Sequence, residues 1–255
     1  IDERSREWEY RDSSGYSMPH NPEALEVIYN LRSNNNISSN HLEMYVQDTW
    51  RRETANSIFS LNYGLRLSHW SWNKEWLFSP RASLTYIPKN HDNMTFRLAT
   101  GLYYQRPFYK ELRDTVTNGA TTIVQLNENI QSQRSFQIIA GYEYRFKLGK
   151  RPFLFSTELY YKAQDRLNPY TVDNTKIVYY GRNCATGNVM GIDLKLYGEF
   201  VPGTDSWLTF SLMRARMNIN GKSIPQPTDQ IWSLNMFFSD YFPNTTRWKM
   251  NLKAC

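Results

Sequence analysis

Polarity alternates with a period of two through most of this chain, and that pattern constrains the fold more than any motif. In "HLEMYVQDTW", Leu42, Met44, Val46 and Trp50 fall on one side, with His41, Glu43, Tyr45, Gln47 and Thr49 on the other. "SIFSLNYGLRL", "SPRASLTYIP", "MTFRLATGLYYQ", "RSFQIIAGYEYRF", "FLFSTELYYKAQ" and "VMGIDLKLYGEF" repeat the pattern, and "WLTFSLMRA", "QIWSLNMFFSDYF" and "RWKMNLK" continue it. Successive strand side chains point to opposite faces, so each segment predicts a strand with one apolar and one wet face. With "DERSREWEYRD" as a further strand at the start, about eleven are expected, each near the ~9–11 residues of a bilayer-crossing strand.

The apolar faces need cover. The one helix-like segment, "NPEALEVIYNLRS", is too short to shield such a sheet, whereas lipid covers it without help from the chain. No apolar run reaches the ~18 residues of a transmembrane helix, but a barrel strand meets lipid only on alternate residues and keeps a low mean hydropathy. The observed mean hydropathy is −0.65, with 18 Tyr and 8 Trp among 255 residues. Rings of that amphipathic kind suit an interface between apolar and wet surroundings. The net charge of +6 is spread along the chain rather than gathered in a stripe, which argues against nucleic acid as a partner.

Connections alternate in length. "RRETAN", "PKNHDN", "KLGKRP", "PGTDS" and "PNTT" are tight and rich in turn residues; 15–40, 106–133, 165–187 and 218–228 are long. Short turns at one end and long loops at the other are the pattern of an outer-membrane barrel, and the longest loops point to function. "SWNKEW" is short where a long loop belongs. Trp50, Tyr86, Phe146, Phe153 and Phe200 flank tight turns, and Trp70, Trp72, Trp76 and Phe78 lie toward the loops, predicting two aromatic girdles. Pro80 and Pro88 are expected to mark the two ends of their strand. Asp48 is the exception in the apolar phase, expected near the rim beside Trp50.

The polar phase holds Arg66, Arg81, Arg97, Gln137, Glu143, Arg145, Glu158, Lys162, Asp193, Lys195 and Glu199, which in a barrel would face the lumen. No catalytic constellation is visible. His20, His41, His69 and His91 lack ligand spacing, and no nucleophile motif or phosphate loop stands out. Cys184 and Cys255 are taken as free thiols, and Asn93 and Asn244 as turn residues. Neither an enzyme nor a cofactor is expected. The binding candidates are loop aromatics and a base, Trp70, Trp72, Trp76, Tyr103, Tyr104, Arg106, Tyr109, Tyr179 and Tyr180, which suit flat or sugar-like ligands and an anion; girdle or loop packing is the competing role.

The ordered set "YVQDTW", "LNYGLRL", "SPRASLTYIP", "FRLATGLYYQRPFYKEL", "QSQRSFQIIAGYEYRF" and "GNVMGIDLKLYGEFVPG" resembles the barrel of TonB-dependent outer-membrane receptors, in wording closest to those of Bacteroidetes. The resemblance runs from about His41 to Lys253. It implies a 22-stranded antiparallel transmembrane β-barrel in the outer membrane of a Gram-negative bacterium, of which residues 1–255 would be an internal part, with plug and terminal strands outside it. It also implies import of a scarce bulky nutrient, such as a siderophore complex, a cobalamin or a glycan. The implied partners are outer-membrane lipid, the receptor's own plug, TonB and a surface lipoprotein. An autotransporter translocator, a porin, or a soluble carbohydrate-binding β protein remain alternatives on the residues alone.

Overall fold

A computed structural model describes residues 2–11, 29–118, 121–173, 176–242, 245 and 247–254. Its strands are β1 (Asp2–Arg11), β2 (Tyr29–Ser38), β3 (His41–Glu53), β4 (Ser57–Trp70), β5 (Glu75–Pro88), β6 (Met94–Gln105), β7 (Arg113–Asn118), β8 (Thr121–Leu126) and β9 (Gln133–Leu148). The chain continues through β10 (Arg151–Leu167), β11 (Tyr170–Asp173), β12 (Lys176–Tyr179), β13 (Ala185–Val201), β14 (Thr204–Ile219), β15 (Lys222–Pro225), β16 (Trp232–Tyr241) and β17 (Lys249–Ala254). One helical turn, α1 (Tyr109–Leu112), precedes β7.

Ten strands form one antiparallel wall in the order β3-β4-β5-β6-β9-β10-β13-β14-β16-β17, with short β15 added to β14. Every wall strand pairs with the next one along the chain, so the wall is a meander. Among the described residues the sheet does not close, because β3 and β17 do not pair with each other. The strand expected from "DERSREWEYRD" exists, but β1 belongs elsewhere, to a four-stranded sheet of order β1-β2-β8-β7. The helix-like "NPEALEVIYNLRS" lies outside the described residues up to Val27 and Ile28, and from Tyr29 it is strand β2.

The wall's two ends differ as the connection lengths predict. At one end β9 joins β10 through Gly149 and Lys150, at φ 59° and 70°, the paired positive angles of a two-residue hairpin turn. At the same end Gly203, at φ 78°, follows Pro202 between β13 and β14. At the other end the long connections carry structure of their own: α1, β7 and β8 in one, the β11–β12 hairpin in the next, β15 in the third. "SWNKEW" is a plain turn over Ser71–Lys74.

Pro88 ends β5, but Pro80 does not: the strand runs back to Glu75 and Pro80 pairs with Leu65 of β4. Pairing of β5 with β6 covers only Arg81 to Tyr86. Proline has no N–H to offer, so Pro80 sits where β5 parts from β6, on the side where no ladder bond is needed.

Candidate functional site

The registers put all the apolar phases on one face of the wall and the polar phases on the other. Leu84 is opposite Leu61 and Leu98, and Leu98 is opposite Ala140. That face is bare: Leu84, Leu98, Ile138, Leu159, Met190 and Leu212 are all exposed, along with Val46 and Leu234. An apolar surface continuous across ten strands far exceeds what a water-soluble monomer leaves open. Toward the tight-turn end it carries a run of rings. Phe59 meets Tyr86 at 4.9 Å, Tyr86 meets Phe96 at 6.0 Å, and Phe96 meets Tyr142 at 5.1 Å. The series resumes with Tyr144, Phe146, Phe153 and Phe200 at 5.2–5.7 Å spacings. Asp48 accepts the Tyr63 hydroxyl at 2.8 Å and the Thr49 N–H at 2.8 Å, but it is not the one charge in the apolar phase, which Arg214 and Arg216 of β14 share near the loop end.

The opposite face is charged and polar. Arg66, Arg81 and Arg97 occupy β4 to β6, while Glu143, Glu158 and Asp193 occupy β9 to β13. Glu143 accepts Arg97 at 2.5 Å and lies 3.8 Å from Arg145. Glu158 faces Asp193 directly across β10 and β13, a like-charge pair that costs stability unless solvated or countered. Lys195 reaches over the Tyr197 ring at 6.0 Å. Gln137 lines a second, smaller cavity of about 300 Å³ with Lys162 and Gln164.

A concavity of about 510 Å³ opens on this polar face between β3 and β6. Glu43 is its hub: it bonds Arg66, lies 2.9 Å from His41 Nε2 and takes a 3.4 Å contact from Arg106. Arg81 stacks its guanidinium over the Tyr103 ring at 4.5 Å. Burial holds the proton affinity of Arg106 below its ordinary value, opposed by the Glu43 carboxylate. An arginine on a ring beside a carboxylate-bound arginine presents hydrogen-bond donors and a flat apolar surface together, a combination that suits a polar ligand with planar or ring parts.

The nine binding candidates separate into four groups. Tyr103 lines the concavity, and Arg106 reaches Glu43 of its lining at 3.4 Å. Trp70 and Tyr109 are buried with Ile37, Leu112 and Ile130 in a small core under the loops, with Trp72 packed against it. Trp70 donates its indole N–H to Ser39 at 3.1 Å, so its polar edge is also engaged. Their part in this conformation is packing. Trp76 and Tyr104 stand on the apolar face near the loop end, Trp76 against His69 at 4.5 Å. Tyr179 and Tyr180 lie in the loops, Tyr179 between Phe108 at 5.4 Å and Tyr170 at 5.5 Å.

Two carboxylates are not singled out by the sequence, Glu43 in the concavity and Glu111 in the loop layer. Glu43 was visible only as one polar-phase residue among many; its link to Arg66 and Arg106 comes from register and loop return. Glu111 of α1 is buried, accepting the Phe108 N–H at 3.0 Å and the Gln133 amide at 2.7 Å. Burial raises its carboxyl above the ordinary range, against those two hydrogen bonds.

Among the described residues no group of His, Cys, Asp and Glu could hold a metal ion. A family model, "TonB dependent receptor-like, beta-barrel", matches residues 3–254. No curated protein matches the chain.

Proposed function

The chain belongs to the TonB-dependent receptor-like β-barrel family, a class of outer-membrane transport receptors of Gram-negative bacteria, and we propose that it forms wall and loops of an active importer for a bulky, scarce nutrient. The observation that carries this is the two-faced wall: a bare apolar face ringed by aromatics, backed by a face of paired and stacked charges. Lipid takes the first. The second, with Arg66, Arg81, Arg97 and Glu143, faces the lumen, where the family's plug sits and where TonB acts through it. The ligand enters from the loop end, over Tyr103, Arg106, Tyr179 and Tyr180. A siderophore complex, a cobalamin and a glycan all present the ring or planar parts that the Arg81–Tyr103 stack suits. A surface lipoprotein at the loops is a further partner in this reading.

Cysteine labelling of the full-length receptor in intact outer membranes tests it. Cysteines replacing Leu84, Leu98 and Ile138 are expected to react with lipid-soluble reagents only. Those replacing Arg81, Arg97 and Gln137 are expected to react with small water-soluble ones. Water-soluble labelling at Leu84 and Leu98 would remove the membrane wall and the importer with it.

A further inference from the structure

The apolar face is not uniform. A groove of about 720 Å³ crosses it, and its lining includes one charged residue, Arg214. Its floor is built on a single cross-strand row. Leu98 is opposite Ala140, Ala140 opposite Leu159, Leu159 opposite Ile192, and Ile192 opposite Leu212. Ala140 is the smallest of the five, which deepens the trough between Leu98 and Leu159. The adjacent row, Ile138, Tyr161, Met190 and Arg214, forms one bank.

The row climbs. Leu98 stands four residues from the tight-turn end of β6 at Met94, whereas Leu212 stands eight and Arg214 ten from the same end of β14 at Thr204. At ~3.4 Å per residue and a ~40° tilt, Arg214 lies ~25 Å above the turns, the height of the apolar band in such a barrel. The groove therefore descends into the membrane from a cation at its outer edge.

A second arginine neighbours that cation. Arg216 is next in the same phase, facing Asn188. Among the described residues neither arginine has a carboxylate within salt-bridge distance, and the Arg216 Nε is buried without a hydrogen-bond partner. Of the acids on this rim, Asp165 is held by Arg134 through two guanidinium nitrogens, and Asp229 accepts the Ala215 N–H at 2.7 Å, a backbone bond rather than a salt bridge to either arginine.

We propose that this groove is a binding site for an anionic, phosphate-bearing lipid of the outer leaflet. One acyl chain lies along Leu212, Ile192, Leu159 and Ala140, and the phosphate sits on Arg214 and Arg216. Unpaired guanidinium groups at the membrane edge recognise phosphate bidentately, and the trough below them fits a hydrocarbon tail. The site rests on the wall's place in a membrane and is independent of the nutrient imported.

The full-length receptor, reconstituted in bilayers of mixed phosphatidylglycerol and phosphatidylcholine, is analysed by native mass spectrometry of the lipid it retains. The unmodified receptor is expected to retain phosphatidylglycerol in excess. Arg214→Gln and Arg216→Gln are each expected to lower that excess about five-fold while leaving retained phosphatidylcholine unchanged. An undiminished preference in the double variant, or equal loss of both lipids, overturns the site. A second measurement needs no variant: phosphatidylglycerol with a photoreactive tail is expected to label peptides carrying Leu159 and Met190 more than the phosphatidylcholine analogue does, and equal labelling overturns the site. Heat-modifiable gel migration is checked first; its absence from the unmodified receptor would count against the barrel itself, a failure distinct from loss of lipid preference.

Discussion

Glu111 shows how one buried group can make the loop layer sensitive to pH. Glu111 is buried on α1, whose Tyr109 and Leu112 belong to the small core with Trp70 and Ile130, and burial raises its proton affinity. Tyr179 is the titratable group facing it, and burial and the Glu111 charge both raise that phenol, so Tyr179 stays protonated at neutral pH. Gln133 and Asn168, which bond the side chain and backbone of Glu111, carry no charge. A folded carboxyl above its unfolded value of 4.5 binds more protons in the folded state over the interval between the two. Its contribution is therefore fully present below 4.5 and is lost as pH rises through the raised value. Amide-exchange protection of the segment around Phe108 to Gln133 is expected to fall as pH rises above 4.5 through the raised value, and Glu111→Gln to remove the fall. Protection that rises with pH in the unmodified receptor would refute this role.

Elements were legible to very different degrees. The ten wall strands were readable because exposure to lipid on one side and water on the other writes a period of two into each of them. Pro80 misled because a proline excludes one ladder bond, and β5 needs none on that side at that point. β7, β8 and the β11–β12 hairpin were hidden inside long loops, where half-exposed short strands lack a clean alternation. Trp70 and Tyr109 looked like ligand contacts because a loop aromatic destined for packing has the same composition as one destined for binding. Close approach between strands was equally invisible. A Cβ on Gly191 would lie 2.6 Å from the Leu212 carbonyl oxygen and against the Tyr160 hydroxyl, whereas one on Gly141 would meet nothing nearer than 3.6 Å. Tyr160 lies over the bare glycine and fills the space a side chain would take. Gly191→Ala is therefore expected to lower unfolding stability by about 1–3 kcal/mol in urea titrations followed by gel migration, with Gly141→Ala within about 0.5 kcal/mol of the unmodified receptor. Equal effects at the two sites would mean that the β13–β14 pairing yields easily.

On the scale of the molecule, the wall is defined by three asymmetries that reinforce one another. Apolar side chains separate from polar ones across the sheet, rings gather toward the turns, and long structured connections gather at the other end. Each strand edge left open in hydrocarbon must find a partner, because unpaired backbone N–H and C=O groups have no water there. The described wall therefore works as an arc within a larger closed ring, with β3 and β17 as its seams. The end-to-end asymmetry fixes orientation, since outer-membrane barrels keep short turns on the periplasmic side. Two hairpins of like geometry allow a direct test. Asn220 and Gly221, at φ 52° and 82°, turn between β14 and β15 at the loop end; Gly149 and Lys150 make the same kind of turn at the other. Both are two-residue turns, so an inserted epitope meets similar local constraints, and only location differs. An epitope inserted between Asn220 and Gly221 of the full-length receptor is expected to bind antibody on intact cells. One between Gly149 and Lys150 is expected to bind only after the outer membrane is permeabilised. The reverse pattern would invert the barrel, move the Arg214 groove to the inner leaflet, and place the concavity of Glu43, Arg81 and Tyr103 toward the periplasm.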